Sequence, residues 1–84
     1  MEKQEVGNVV HFFGKVSVGT IKLTAPLKVG DRISIEGSHT NFEQTVDSIR
    51  IEKDSLTEAA AGQQVGIKVL DRVRENDTVF KIVD

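Results

Sequence analysis

Residues 15–36 read KVSVGTIKLTAPLKVGDRISIE, and the fold follows from the spacing of their apolar side chains. Ile21 and Leu23 stand two apart before the turn, and Ile33 and Ile35 stand two apart after it. A period of two belongs to a strand with one buried face, whereas a helix would repeat at three and four. Between the two halves lies Pro26-Leu27-Lys28-Val29-Gly30. Pro26 has no N–H for a ladder and Gly30 tolerates positive φ, so this segment reads as a turn. Val16 and Val18 share one parity, while Ile21 and Leu23 take the other. A half-buried strand changes parity only where a residue is inserted. A β-bulge or sharp bend is therefore expected at Gly19.

The same alternation runs outward in both directions. Strands are predicted over residues 6–13, 15–25, 31–36, 42–53, 63–70 and 78–83. In the fourth, Phe42, Gln44 and Val46 give way to Ile49 and Ile51, which predicts a second bend near Asp47-Ser48. In the fifth, Val65, Ile67 and Val69 point inward, and Gly66 leaves a place for close approach on the other face. Ser55 and Glu58 have the spacing of a capping box, and Ala59, Ala60 and Ala61 then favour a short helical turn that Gly62 would stop. Arg74-Glu75-Asn76-Asp77 reads as a turn with Asn76 in the left-handed region. The expected fold is all-β: a small six-stranded antiparallel β-barrel with one short helical turn, a single domain over residues 1–84.

Size and composition agree with this. A chain of 84 residues hides about 63% of its surface on folding, enough for one small core. The apolar fraction is 38% and cysteine is absent, so disulfides, thiolate chemistry and cysteine metal sites are excluded. Without such staples a cytoplasmic protein is the simpler expectation. No apolar run reaches the length of a membrane span, so no membrane partner is expected. The first twenty residues lack the basic start and apolar stretch of a secretory signal, and the opening Met1 is what a whole small protein would carry.

Candidate chemistry is sparse. His11 and His39 have no neighbours at metal-ligand spacing, and no nucleophile-elbow pattern is present. Gly14-Lys15 lacks the rest of a phosphate loop. No catalytic residue, metal or cofactor is expected, and the chain is not expected to be an enzyme. Charge is unevenly spread. Residues 11–35 carry Lys15, Lys22, Lys28 and Arg32 against Asp31 alone, whereas residues 36–66 are mostly acidic. Lys22 and Arg32 fall on outward positions of two strands. With Phe13 as an outward aromatic beside Lys15, these five residues are the candidate nucleic-acid-binding set.

Several segments resemble one family. Gly19-Thr20-Ile21-Lys22-Leu23 and Leu27-Lys28-Val29-Gly30-Asp31-Arg32-Ile33 are similar to paired stretches of translation-factor β-barrels, the second domain of elongation factor Tu and its relatives. So are Val46-Asp47-Ser48-Ile49, Ala59-Ala60-Ala61-Gly62-Gln63-Gln64-Val65-Gly66-Ile67 and Arg74-Glu75-Asn76-Asp77-Thr78-Val79. Val9-Val10-His11-Phe12-Phe13-Gly14-Lys15 and Thr40-Asn41-Phe42 further resemble small standalone translation-factor-like proteins and the C-terminal barrel of collagenase-like peptidases. The resemblance implies a non-catalytic binding module with RNA or a ribonucleoprotein as partner. The alternative it implies is a protein-interaction subunit for a separately encoded enzyme of the collagenase-like peptidase type. No GTPase domain accompanies the barrel, so GTP is not expected as a ligand.

Overall fold

The computed structural model describes residues 2–83. Ten strands follow one another: β1 (Glu2–Phe13), β2 (Val18–Leu23), β3 (Leu27–Lys28), β4 (Arg32–Glu36), β5 (Asn41–Thr45), β6 (Ile49–Ile51), β7 (Asp54–Leu56), β8 (Glu58–Ala59), β9 (Gln64–Lys68) and β10 (Thr78–Val83). Eight of them form one antiparallel sheet in the order β5-β4-β10-β1-β2-β9-β6-β7, and β3 pairs with β8. The sheet curls around Val6, Val9, Ile21, Leu23, Ile33, Ile35, Ile49, Ile67 and Val79, each almost wholly buried. The inward alternation expected at Ile33 and Ile35, and at Val65, Ile67 and Val69, is present. Asn76 has φ of 73° in the turn before β10, as its position predicts.

The expected barrel differs in three respects. It is not closed by a ladder, because β5 and β7 remain edges. The edges are nevertheless tied. β5 and β6 are one run of chain bent at residues 46–48, where the break near Asp47-Ser48 was expected. β5 pairs with β4 on one side of the bend, and β6 pairs with β9 on the other. Gly30 N donates to Val46 O at 2.9 Å and Val46 N to Asp31 O at 2.8 Å, which carries the β4–β5 pairing up to the bend. Across the seam, the buried Gln44 side chain donates from Nε2 to Lys68 O and accepts at Oε1 from Leu70 N, both at 2.8 Å.

The second difference is the helical turn, which does not form. Ser55 lies opposite Arg50 in the β6–β7 pair, and Glu58 lies opposite Lys28 in the β3–β8 pair. Ala59 is buried opposite Leu27. A helix of one turn gains a single hydrogen bond for the dihedrals it fixes, so partners brought by the tertiary structure override the capping spacing. Ala60 and Ala61 instead enter a tight turn, in which Ala60 N donates to Gln63 Oε1 at 2.7 Å and Gly62 takes φ of 90°.

The third difference concerns parity. β2 pairs with β9 in unbroken register from Val18 to Lys22, so no bulge lies at Gly19. Gly19 itself points inward, with Ile21 and Leu23, and Val73 and Val69 fill the space a side chain would take. Val16 and Val18 therefore face outward. The bulges are in β1 instead, one between Glu5 and Gly7 on the β10 side and one between Val9 and His11 on the β2 side. They let Val6 and Val9, of opposite parity, both enter the core.

Candidate functional site

The five residues singled out from sequence do not converge. Lys15 is exposed in the turn after β1. Phe13 ends β1 opposite Val18, half exposed, with its ring edge-on to His11 at 4.5 Å between centroids. Lys28 lies at the far corner in β3, and its N–H donates to Asp31 Oδ2 at 3.0 Å. Arg32 is occupied by Glu43, with Nε donating to Oε1 at 3.4 Å. Lys22 is exposed in β2. Its cross-strand row runs through Asn8 and Thr78 to Glu36, so β2 and β4 are three strand steps apart, about 14 Å. Arg32 is a further four residues along β4, about 13 Å. Lys22 and Arg32 thus share no patch, and only Lys15 and Phe13 are brought to one end of the sheet.

Other charges are engaged in pairs. Lys3 Nζ contacts Glu36 Oε2 at 2.6 Å, and Ser34 Oγ donates to the same oxygen at 2.9 Å. The Lys3 hydrogen bond, then the Ser34 hydroxyl, hold the Glu36 carboxyl below its ordinary range, and the same bond raises Lys3. A carboxyl depressed in the folded state stabilises above its unfolded pKa, and that contribution is lost as pH falls through the folded value. For the raised Lys3 the contribution is present below its unfolded pKa and fades as pH rises through the folded one. An NMR titration of the Glu36 carboxyl should give a midpoint below the ordinary glutamate value, moving upward in Lys3→Met. An unmoved midpoint would mean the pair does not form in solution.

One cleft stands apart, on the outer face of β2, β9 and β6. Thr20, Gly66 and Arg50 lie in one cross-strand row, and Val18 and Lys68 are paired in the next. Gly66 has no side chain, and a Cβ there would sit 3.2 Å from Val18 Cγ1. The missing side chain leaves a cleft of about 260 Å³ with Gly66 as floor, Val16 and Val18 as apolar wall, and Ser48, Arg50 and Lys68 around it. Neither Arg50 nor Lys68 is ion-paired among the described residues. Val16 is 60% exposed, and Phe13 extends the apolar strip beyond Val18. The glycine was legible in the sequence as a place of close approach. The cations were not, because Arg50 lies in the acidic stretch and Lys68 beyond it.

No family model matches the chain. It is 43% identical over 79 residues to an uncharacterized protease of Methanocaldococcus jannaschii, covering 93% of this chain and 19% of that one. It is 30% identical over 82 residues to a collagenase of Porphyromonas gingivalis, covering 95% of this chain and 23% of the other. The chain therefore spans about a fifth of the length of the curated relatives it matches. The C-terminal domain of a Geobacillus thermoleovorans protein named as a U32 peptidase superposes with a TM-score of 0.89 at 22% identity, over 95% of this chain and 93% of that domain, which shows a shared fold. These proteins are named as peptidases and collagenases. That corrects the translation-factor resemblance, and with it the RNA-binding role drawn from it. The motifs behind that expectation are turn and strand signatures, which a small antiparallel barrel needs whatever protein it serves. The collagenase-like part of the resemblance agrees with the relatives. No helix among the described residues is long and apolar enough to cross a membrane.

Proposed function

We propose that this chain is the accessory β-barrel of a U32-peptidase or collagenase-type protein, non-catalytic itself, acting through protein contact with the catalytic part. The observation that carries this reading is the shape of the match, nearly all of this chain against about a fifth of its relatives. The shared part is the barrel, and about four-fifths of each relative lies outside it. The histidines agree with this division of labour. His11 Nδ1 lies 3.6 Å from Glu75 Oε1 with both side chains more than half exposed, an arrangement of surface charge. His39 sits exposed in the loop before β5.

An antibody against the barrel, used on native extract of the source cells, should capture a U32-type catalytic sequence. That sequence would be either continuous with the barrel or a separate chain, and mass spectrometry of the captured bands distinguishes the two. The purified 84-residue chain alone should leave gelatin uncut. Captured material with no such sequence, or gelatin cleavage that co-purifies with the folded chain, would reject the reading.

A further inference from the structure

The geometry points to the cleft over Gly66 as the docking groove for an acidic, aliphatic-bearing peptide segment of the protein partner, a reading that rests on the accessory role proposed above. Three features choose this ligand chemistry. The floor is backbone, because Gly66 carries no side chain, so a peptide can lie close to β9. The wall is aliphatic, formed by Val16 and Val18, and Val16 is among the most exposed apolar side chains of the described residues. The rim is cationic, with Arg50 on β6 and Lys68 on β9 both lining the cleft.

The charge argument is the strongest of the three. The protein is net negative, -2 at neutral pH, yet this cleft presents two cations without a carboxylate partner among the described residues. Three other clefts that carry a cation carry a carboxylate beside it: Glu36, Glu75 and Asp77 with Arg74, Asp31 and Glu58 with Lys28, and Asp71 with Arg72. In the cleft between the loop before β5 and the turn before β10, Asp77 Oδ2 accepts from Arg74 N, Glu75 faces His11, and Glu36 holds Lys3. Those groups maintain the fold. Arg50 and Lys68 maintain no contact of that kind, and a carboxylate arriving between them would be held by complementary charge. The adjoining valines would then cover an aliphatic side chain one or two residues away. A cleft of about 260 Å³ accommodates a few side chains of a peptide, not a folded surface.

The test uses the 84-residue chain, isotopically labelled, and two synthetic octapeptides. One alternates glutamate and leucine, the other lysine and leucine. The glutamate peptide should shift the amide resonances of Val18, Gly66 and Lys68 in a saturable titration, and the lysine peptide should not. Arg50→Glu/Lys68→Glu should weaken the glutamate peptide at least about tenfold while the melting curve stays cooperative. Lys22→Glu, a charge reversal outside the cleft, should bind as wild type does. Shifts that are absent, that lie elsewhere, or that survive the double charge reversal overturn the groove. The same double variant, added in excess as competitor in the antibody capture, should fail to displace a separately encoded catalytic chain that the wild-type barrel displaces. Capture of that chain with equal displacement by both would reject the groove and leave the accessory role standing. Absence of any catalytic sequence would reject the accessory role, while the peptide titration still decides the groove.

Discussion

Gly7→Val should lower the melting temperature by about 12–40 °C. Gly7 sits in β1 between two neighbours, opposite Val79 on one side and Leu23 on the other. A Cβ there would lie 2.6 Å from Lys22 O, 2.9 Å from Ile21 Cγ2 and 3.3 Å from Leu23 Cα. Two of these atoms are backbone of β2, which cannot swing aside without breaking the ladder at the middle of the sheet. Overpacking a core by a methylene costs about 1–3 kcal/mol. A β-branched side chain against fixed backbone should exceed that, about 3–5 kcal/mol. A domain of this length has about 4–13 kcal/mol to lose. Gly14→Ala is the control, since only a Phe12 ring carbon, at 3.7 Å, meets the added methyl. It should melt within a few degrees of wild type. Circular dichroism melts and amide spectra of the two variants decide the matter. A Gly7→Val protein that melts as wild type does would show that β2 yields there.

Gln44→Leu should lower the melting temperature by about 8–32 °C. The substitution keeps roughly the volume but removes both hydrogen bonds that cross the seam, to Lys68 O and from Leu70 N. Both bonds are only partly buried, so each backbone group left unpaired costs the lower part of the usual penalty, about 1–2 kcal/mol. Two of them cost about 2–4 kcal/mol in sum, and in a domain of this size each kcal/mol moves the midpoint by about 4–8 °C. Gln44→Glu should be worse than Gln44→Leu at neutral pH, because a carboxylate has no proton to offer Lys68. It should recover as pH falls, because the protonated acid can again donate to one group and accept from the other. A Gln44→Leu midpoint within about 3 °C of wild type would mean that water or a shifted backbone satisfies the seam.

Local rules made part of this architecture legible. Ile33 and Ile35, Val65 through Val69, the break near Asp47-Ser48 and the left-handed Asn76 all follow from alternation and turn chemistry. The failures lie where a distant partner decides. Val16 and Val18 read as core because they are apolar, yet they face outward while Gly19 takes the inward position. Only the packing of Val69 and Val73 against that glycine reveals the choice. Ser55 and Glu58 read as a cap, but Ser55 is claimed by the neighbouring strand β6 and Glu58 by the distant β3. Gln44 alternated with apolar neighbours, so its inward position was visible, whereas its bonds to Lys68 and Leu70 depend on how the sheet curls. The candidate site suffered similarly. Lys15, Lys22, Lys28 and Arg32 are close in sequence but spread over the surface. Arg50 and Lys68 are far apart in sequence and line one cleft.

The place of β1 has a consequence for how the protein is made. β1 pairs with β2 along one side and with the last strand, β10, along the other. Its Glu2 lies opposite Val83. On the ribosome the first strand can find β2 early, but its other edge stays unpaired until Val83 has left the exit tunnel. At about 5–20 residues per second the nascent chain waits several seconds with that edge exposed. The loop that must then close is nearly the whole chain, which puts this fold among the slow, non-local folders of the millisecond-to-second range. The charged start of β1, with Glu2, Lys3 and Glu5 exposed, suits that interval, because charges on an unpaired edge discourage pairing with another nascent chain.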